Sequence, residues 1–152
     1  MKPYTFTRTY ASHADFQSLV ALLDEDLAER DGEEHEFYHQ FNSIESLKHC
    51  MLLYDNDKAV GCGAIKAFDS DSMEVKRMHV PPQERGKGIA SRLLKGLEAW
   101  AKELEYKRCV LETGIRQPEA IGLYEKNGYH RIPNYGQYIG VANSVCFEKK
   151  LT

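Results

Sequence analysis

The four cysteines, Cys50, Cys62, Cys109 and Cys146, stand far apart, and no two form a C-x-x-C pair. A disulfide framework or a thiolate zinc cluster is therefore a poor basis for this fold, and four small buried thiols are expected. Long apolar runs are missing too. No stretch approaches the roughly 20 residues of a membrane span, and the start, Met1-Lys2-Pro3-Tyr4-Thr5-Phe6, lacks the apolar core of a signal peptide. The chain reads as cytoplasmic. There is no block of Lys and Arg either: 20 basic against 23 acidic residues give a formal charge of -3. That balance argues against nucleic acid or a membrane surface as partner and points to a small molecule. Internal repeats and low-complexity linkers are also absent.

What is present suits a single folded unit. The 152 residues are 42% hydrophobic and 28% charged, enough to bury a core within one domain, residues 1–152. Residues 4 to 10 alternate aromatic and polar side chains (Tyr4, Phe6, Arg8, Tyr10), the period of a half-buried strand. Ser12 offers an N-cap, and Phe16, Leu19, Val20, Leu22, Leu23 and Leu27 then recur at helical spacing until Asp31-Gly32. Glu33 to Asn42 shows weak periodicity, and Ser43-Ile44-Glu45-Ser46 could start a short helix. A meander follows: Cys50 to Tyr54, Lys58 to Phe68 and Met73 to Val80, separated by Asp55-Asn56-Asp57 and Asp69-Ser70-Asp71. Ile89, Leu93, Leu94, Leu97, Trp100, Ala101 and Leu104 mark one face of a long helix. Arg108 to Glu112 reads as a buried strand, Pro118 to Asn127 as a helix closed by Gly128, and Tyr129 to Ile132 and Val145 to Lys149 as closing strands.

Between the third meander strand and the long helix lies Gln83-Glu84-Arg85-Gly86-Lys87-Gly88-Ile89-Ala90. Free amides at a helix N-terminus, together with the helix dipole, make such a turn able to hold a diphosphate. The glycines let the backbone approach phosphate oxygens, Arg85 and Lys87 add charge, and Ala90 and Ser91 keep the first helical turn small. It is not a Walker loop, which needs G-x-x-x-x-G-K-[ST], and it lacks the third glycine of the dinucleotide fingerprint.

Gln83-x-x-Gly86-x-Gly88-Ile89-Ala90, following a strand that ends in Met78-His79-Val80, resembles the acetyl-CoA motif of the GNAT N-acetyltransferase family. Gln117-x-x-Ala120-Ile121-x-Leu123-Tyr124-Glu125-Lys126-Asn127-Gly128-Tyr129 is similar to that family's next motif, at a distance suited to one helix and one strand. The resemblance spans nearly the whole chain. It implies an α/β (α+β) domain whose mixed, mostly antiparallel sheet splays into a V, flanked by about four helices. It further implies acetyl-CoA as co-substrate; independently, the scattered cysteines and the lone H-E-x-x-H segment lead to the expectation of no metal. Backbone groups of Met78 and Val80, with His79 between them, would bind pantetheine, and amides from Arg85 to Ala90, with Ser91, would bind the diphosphate. Gln117 stands where the family more often carries Asn and keeps the amide function. A backbone amide near Met78 to Val80 would stabilise the oxyanion.

Making an amide from a thioester requires a neutral amine, and an alkylamine resembles lysine with a pKa of about 10.4, so a base must take its proton. By strict alternation Glu74 shares a strand face with Lys76, Met78 and Val80, on the strand that the resemblance sets beside the thioester, and it is the candidate base. Glu112 is the alternative base, or a group that binds the substrate amine. Tyr124 matches the family tyrosine that protonates the coenzyme A thiolate. Tyr138, with Tyr135, Gly136 and Gly140, belongs to a polar-aromatic loop suited to an acceptor wall, and Lys76 and Arg77 could hold an acceptor carboxylate. With no cysteine in a nucleophile context, direct transfer is expected rather than a covalent enzyme intermediate.

A competing signal is His35-Glu36-Phe37-Tyr38-His39, literally H-E-x-x-H, but it lacks the apolar helix and third ligand of a zinc protease. The expected function is acetyl transfer to a primary amine of a small, amino-acid-like metabolite, by a monomer or a homodimer. The alternatives are a protein amine as acceptor, or an acyl-CoA sensor without turnover.

Overall fold

A computed structural model describes residues 4–32 and 47–152. His35 to His39 and the helix start expected at Ser43 lie outside the described residues. Seven strands form one sheet in the order β1-β2-β3-β4-β5-β7-β6. They are β1 (Thr5–Thr9), β2 (His49–Asp55), β3 (Lys58–Ala67), β4 (Ser72–His79), β5 (Arg108–Gly114), β6 (His130–Ile132) and β7 (Ser144–Lys150). Every pairing is antiparallel except β4 with β5. Among the described residues there are three α-helices rather than about four: α1 (Ala14–Asp31), α2 (Ile89–Glu103) and α3 (Pro118–Lys126), with short 3-10 turns at Pro82–Glu84 and Gly136–Tyr138.

Two cores lie on opposite sheet faces. On one, Leu93, Leu94 and Leu97 of α2 pack against Met51, Leu53, Val60, Ile65 and Val75. On the other, Phe16, Leu19 and Val20 of α1 cover Cys50, Leu52, Cys62 and Ala64. Gly63 lets α2 approach the sheet closely: a Cβ there would lie 2.6 Å from Met78 Sδ and 2.8 Å from Leu97 Cδ1.

Several local expectations change. His13, not Ser12, caps α1, its Nδ1 accepting from the Asp15 amide at 3.1 Å. Leu22 is 45% exposed because it falls off the stripe that Phe16, Leu19 and Leu23 turn inward. Of the aromatic residues expected to alternate at β1, Tyr4 packs against the α2-side core whereas Phe6 and Tyr10 are exposed, since an edge strand is covered on fewer sides. α3 does end as expected, Gly128 at φ 90° and the Tyr129 amide reaching back to the Tyr124 carbonyl at 3.0 Å.

Candidate active site

The site begins with an irregularity in β4. Cys62 pairs with His79 and Ala64 with Lys76, so two residues of β4, Arg77 and Met78, oppose Gly63 alone. This is a β-bulge, with Arg77 at φ 56°. Before it, Met73 and Val75 enter the α2-side core, while Glu74 and Lys76 face the α1 side. After it the order is inverted: Met78 and Val80 pack on the α2 side, and Arg77 turns to Asp24 of α1. Glu74 therefore shares a face with Lys76 but not with Met78 or Val80, because one extra residue reverses a period of two.

The second irregularity is the splay. β4 pairs with β5 only at Ser72 to Glu74, whereas β5 pairs with β7 along its whole length. From Val75 onward the β5-facing edge of β4 is left open, and a groove of about 360 Å³ follows it. Met78, His79 and Val80 form one wall and Gln117, Ala120 and Tyr124 the other. Arg85, Gly86, Gly88, Ile89, Ala90 and Ser91 close the far end. Gly86 and Gly88 sit at φ 81° and 78°, conformations that L side chains rarely adopt. They leave the first-turn amides of α2, which have no intrahelical acceptor, at the groove.

Charge at this turn is distributed differently from the sequence expectation. Lys87 donates to Glu84 at 3.0 Å, and Glu84 also pairs with Lys58 at 2.8 Å. The Lys87 ammonium is thus engaged by Glu84, which itself lines the groove. Arg85 donates from Nε to the Val80 carbonyl at 2.8 Å, tying the turn to the end of β4. Asn127 adds a tie that went unread in the sequence, although it lies within the second motif: its Nδ2 donates to Ser91 Oγ at 3.1 Å and to the Leu123 carbonyl at 2.9 Å. It joins the first turn of α2 to the end of α3.

The groove fits a diphosphate and an amide-bearing arm. Its lining carries open strand edge, helix amides and one orphaned polar atom, the buried Nε2 of His79, which has no hydrogen-bond partner among the described residues. Burial, reinforced by Arg85, pushes the His79 pKa down to about 4, so the ring is neutral at neutral pH.

On the α1 side of the splay is a smaller chamber of about 110 Å³ containing Glu74, Lys76, Glu112 and Tyr138. Glu74 lies opposite Val110 in the parallel register, which sets Glu112 two residues further along the same face. Tyr135 donates its hydroxyl to Glu74 at 2.6 Å, and Lys76 Nζ lies 3.9 Å from the same carboxylate. Burial lowers the Lys76 pKa against the opposing pull of Glu74 and Glu112. Burial, then Glu112, raises that of Tyr124, keeping it a phenol. The same order of causes raises Tyr138, and burial followed by Glu74 raises Tyr135. Asn134 steadies the loop, its Nδ2 within 3.1 Å of the carbonyls of Tyr138, Val141 and Ser144.

Groove and chamber meet. Leu23, Met78, Gln117, Ala120 and Tyr124 line both. Glu74, Glu112, Tyr124 and Tyr138 are brought together as the sequence suggested, and Arg77 also borders the chamber, although its guanidinium pairs with Asp24 of α1 and its side chain is 2% exposed. All four cysteines are buried, and burial pushes their thiols up to about 11 or 12, poor conditions for a thiolate nucleophile. Among the described residues no group of three or more His, Cys, Asp or Glu could hold a metal ion, and no helix is long and apolar enough to cross a membrane.

Known proteins resemble this chain in sequence and fold. An IAA acetyltransferase of Azospirillum brasilense is 42% identical over 94 residues, 60% of this chain and 61% of that protein. An uncharacterized N-acetyltransferase of Bacillus subtilis, YsnE, is 33% identical over 100 residues, 64% and 66% of the two chains. The match thus spans less than two thirds of either relative's length. A crystal structure of a Klebsiella pneumoniae protein, described as an acyl-CoA N-acyltransferase, superposes with TM-score 0.83 at 32% identity over 98% of both chains. A GNAT acetyltransferase of Elizabethkingia anophelis, solved with acetyl-CoA bound, shares the fold at TM-score 0.70 and 20% identity, over 97% of this chain and 98% of that one. The profile of the acetyltransferase (GNAT) family matches residues 16–129, from α1 through the glycine turn to the end of α3, and the chain belongs to that family.

Proposed function

We propose that this chain transfers an acetyl group directly from acetyl-CoA to a primary amine of a small, amino-acid-like molecule in the cytoplasm, residues 1–152 acting as one N-acetyltransferase domain. The observation that carries the reading is Tyr124, a buried phenol at the meeting point of a phosphate-suited groove and a carboxylate-bearing chamber. Acetyl-CoA supplies the thioester carbonyl that an amine attacks. Glu74, or Glu112 beside it, takes the proton of the incoming amine. Tyr124 returns a proton to the departing sulfur. Backbone amides at the β4 bulge donate to the carbonyl oxygen as charge develops. A chamber of about 110 Å³ favours a small acceptor.

Calorimetry with acetyl-CoA tests the groove, comparing wild type with Gly86→Trp, whose side chain would fill the turn. A screen of amines with Tyr124→Phe tests the chemistry. The expected result is binding lost in Gly86→Trp, and turnover about 10²-fold to 10⁴-fold lower in Tyr124→Phe, with acetyl-CoA affinity nearly unchanged. Absence of wild-type binding would sink the reading.

A further inference from the structure

The transfer assigns tasks to Glu74 and Tyr124 and none to Lys76, although Lys76 lines the same chamber. Its side chain is 10% exposed, and Nζ lies 3.9 Å from Glu74 Oε1. Glu112, on the facing strand, is the second carboxylate acting on it. This amine is therefore intramolecular, next to a candidate base, and in a space that shares Met78, Gln117 and Tyr124 with the donor groove. Those are the conditions required of an acceptor substrate: proximity, a base for its proton, and an acid for the leaving group.

We propose that Lys76 is a self-acetylation site, modified by acetyl-CoA held in the protein's own groove when no acceptor amine occupies the chamber. The inference rests on the donor reading above. Desolvation favours the neutral amine at this position, which helps the attack. The Nζ lone pair forms a C–N bond to the thioester carbonyl carbon while the C–S bond breaks. The electron pair leaves with sulfur, which takes a proton from Tyr124, and the proton lost from Nζ passes to Glu74 and on to Tyr124. The products are N-acetyl-lysine and free coenzyme A. The modification removes the cation between Glu74 and Glu112 and places an acetyl group in the chamber, so it shuts off transfer to other amines.

The test is incubation of the whole chain with acetyl-CoA and no amine, followed by intact-protein mass spectrometry and peptide mapping. Exposed lysines report the uncatalysed background: Lys58 and Lys107 have side chains 64% and 78% exposed. The expected result is one acetyl group at Lys76, gained about 10²-fold faster than at those two sites. Its rate should be independent of protein concentration and slower in Tyr124→Phe. Lys76→Arg, which keeps a cation between the carboxylates, should bind acetyl-CoA in calorimetry and gain no rapid acetyl group. If acetyl-CoA binds but Lys76 stays unmodified, or reacts no faster than Lys58 and Lys107, the self-acetylation proposal is overturned and the donor reading stands. If acetyl-CoA does not bind, both fall together.

Discussion

The Tyr135 hydroxyl donates to a Glu74 carboxylate oxygen at 2.6 Å, joining residues 61 positions apart at the chamber that Glu74 lines. Glu74 is buried, so this bond replaces part of the hydration that its charge has lost. Tyr135→Phe should therefore cost about 1–3 kcal/mol of stability by chemical denaturation. Turnover of the amine acceptor should fall about 10-fold, the rate equivalent of one such bond, with KM for acetyl-CoA unchanged. A variant with wild-type turnover would remove Tyr135 from the catalytic arrangement.

Gly88 caps α2 at φ 78°, and a Cβ there would meet nothing within 4 Å. The cost of Gly88→Ala is therefore backbone strain alone, about 1–2 kcal/mol, and the displaced amides should weaken acetyl-CoA binding in calorimetry. Gly122, inside α3 and equally open, is the control: Gly122→Ala should stabilise by about 0.5–1 kcal/mol and leave binding intact.

Arg77 is held in the bulge by Asp24 of α1, with its side chain 2% exposed against 36% for Asp24. Asp24→Ala would strand a buried guanidinium whose Nε already has no hydrogen-bond partner among the described residues. The expected loss is about 3 kcal/mol, the low end for breaking a buried pair because Asp24 is partly solvated. Glu103→Ala, which breaks the exposed pair with Arg8, should barely move the same denaturation midpoint.

Burial, then Arg85, pushes the His79 pKa down to about 4 from an ordinary 6.5, with Asp26 opposing and Arg77 adding to the shift. The folded state thus binds fewer protons than the unfolded one between these values, so stability rises with pH across that window and falls as pH drops from 6.5 to 4. The shift corresponds to about 3 kcal/mol. His79→Gln should flatten the stability profile between pH 4 and 6.5 by that amount, as read from denaturant midpoints at each pH.

The glycine turn and the α3 motif were legible because their chemistry is local. A positive-φ turn before an amphipathic helix and a tyrosine one turn before Gly128 are written in consecutive residues. Meander strands and the α2 face followed from periodicity for the same reason. The bulge was not legible: nothing in Lys76-Arg77-Met78 marks an inserted residue, and the inversion of faces arises from the register against Gly63 and the pull of Asp24. Asn127 could be placed in a motif but not against Ser91, 36 residues away.

By itself the sequence determined the order of elements, the phosphate-suited turn, the buried thiols and the residue types available for acid–base work, because these depend on neighbours along the chain. Only the tertiary structure decided which of those residues meet. Splaying of β4 from β5 opens the groove, the bulge exchanges the sides that Arg77 and Met78 would take by simple alternation, and the loop after β6 sets Tyr135 on Glu74. Each of these is a contact between distant segments, set by strand register and packing, and no local pattern in the chain encodes it.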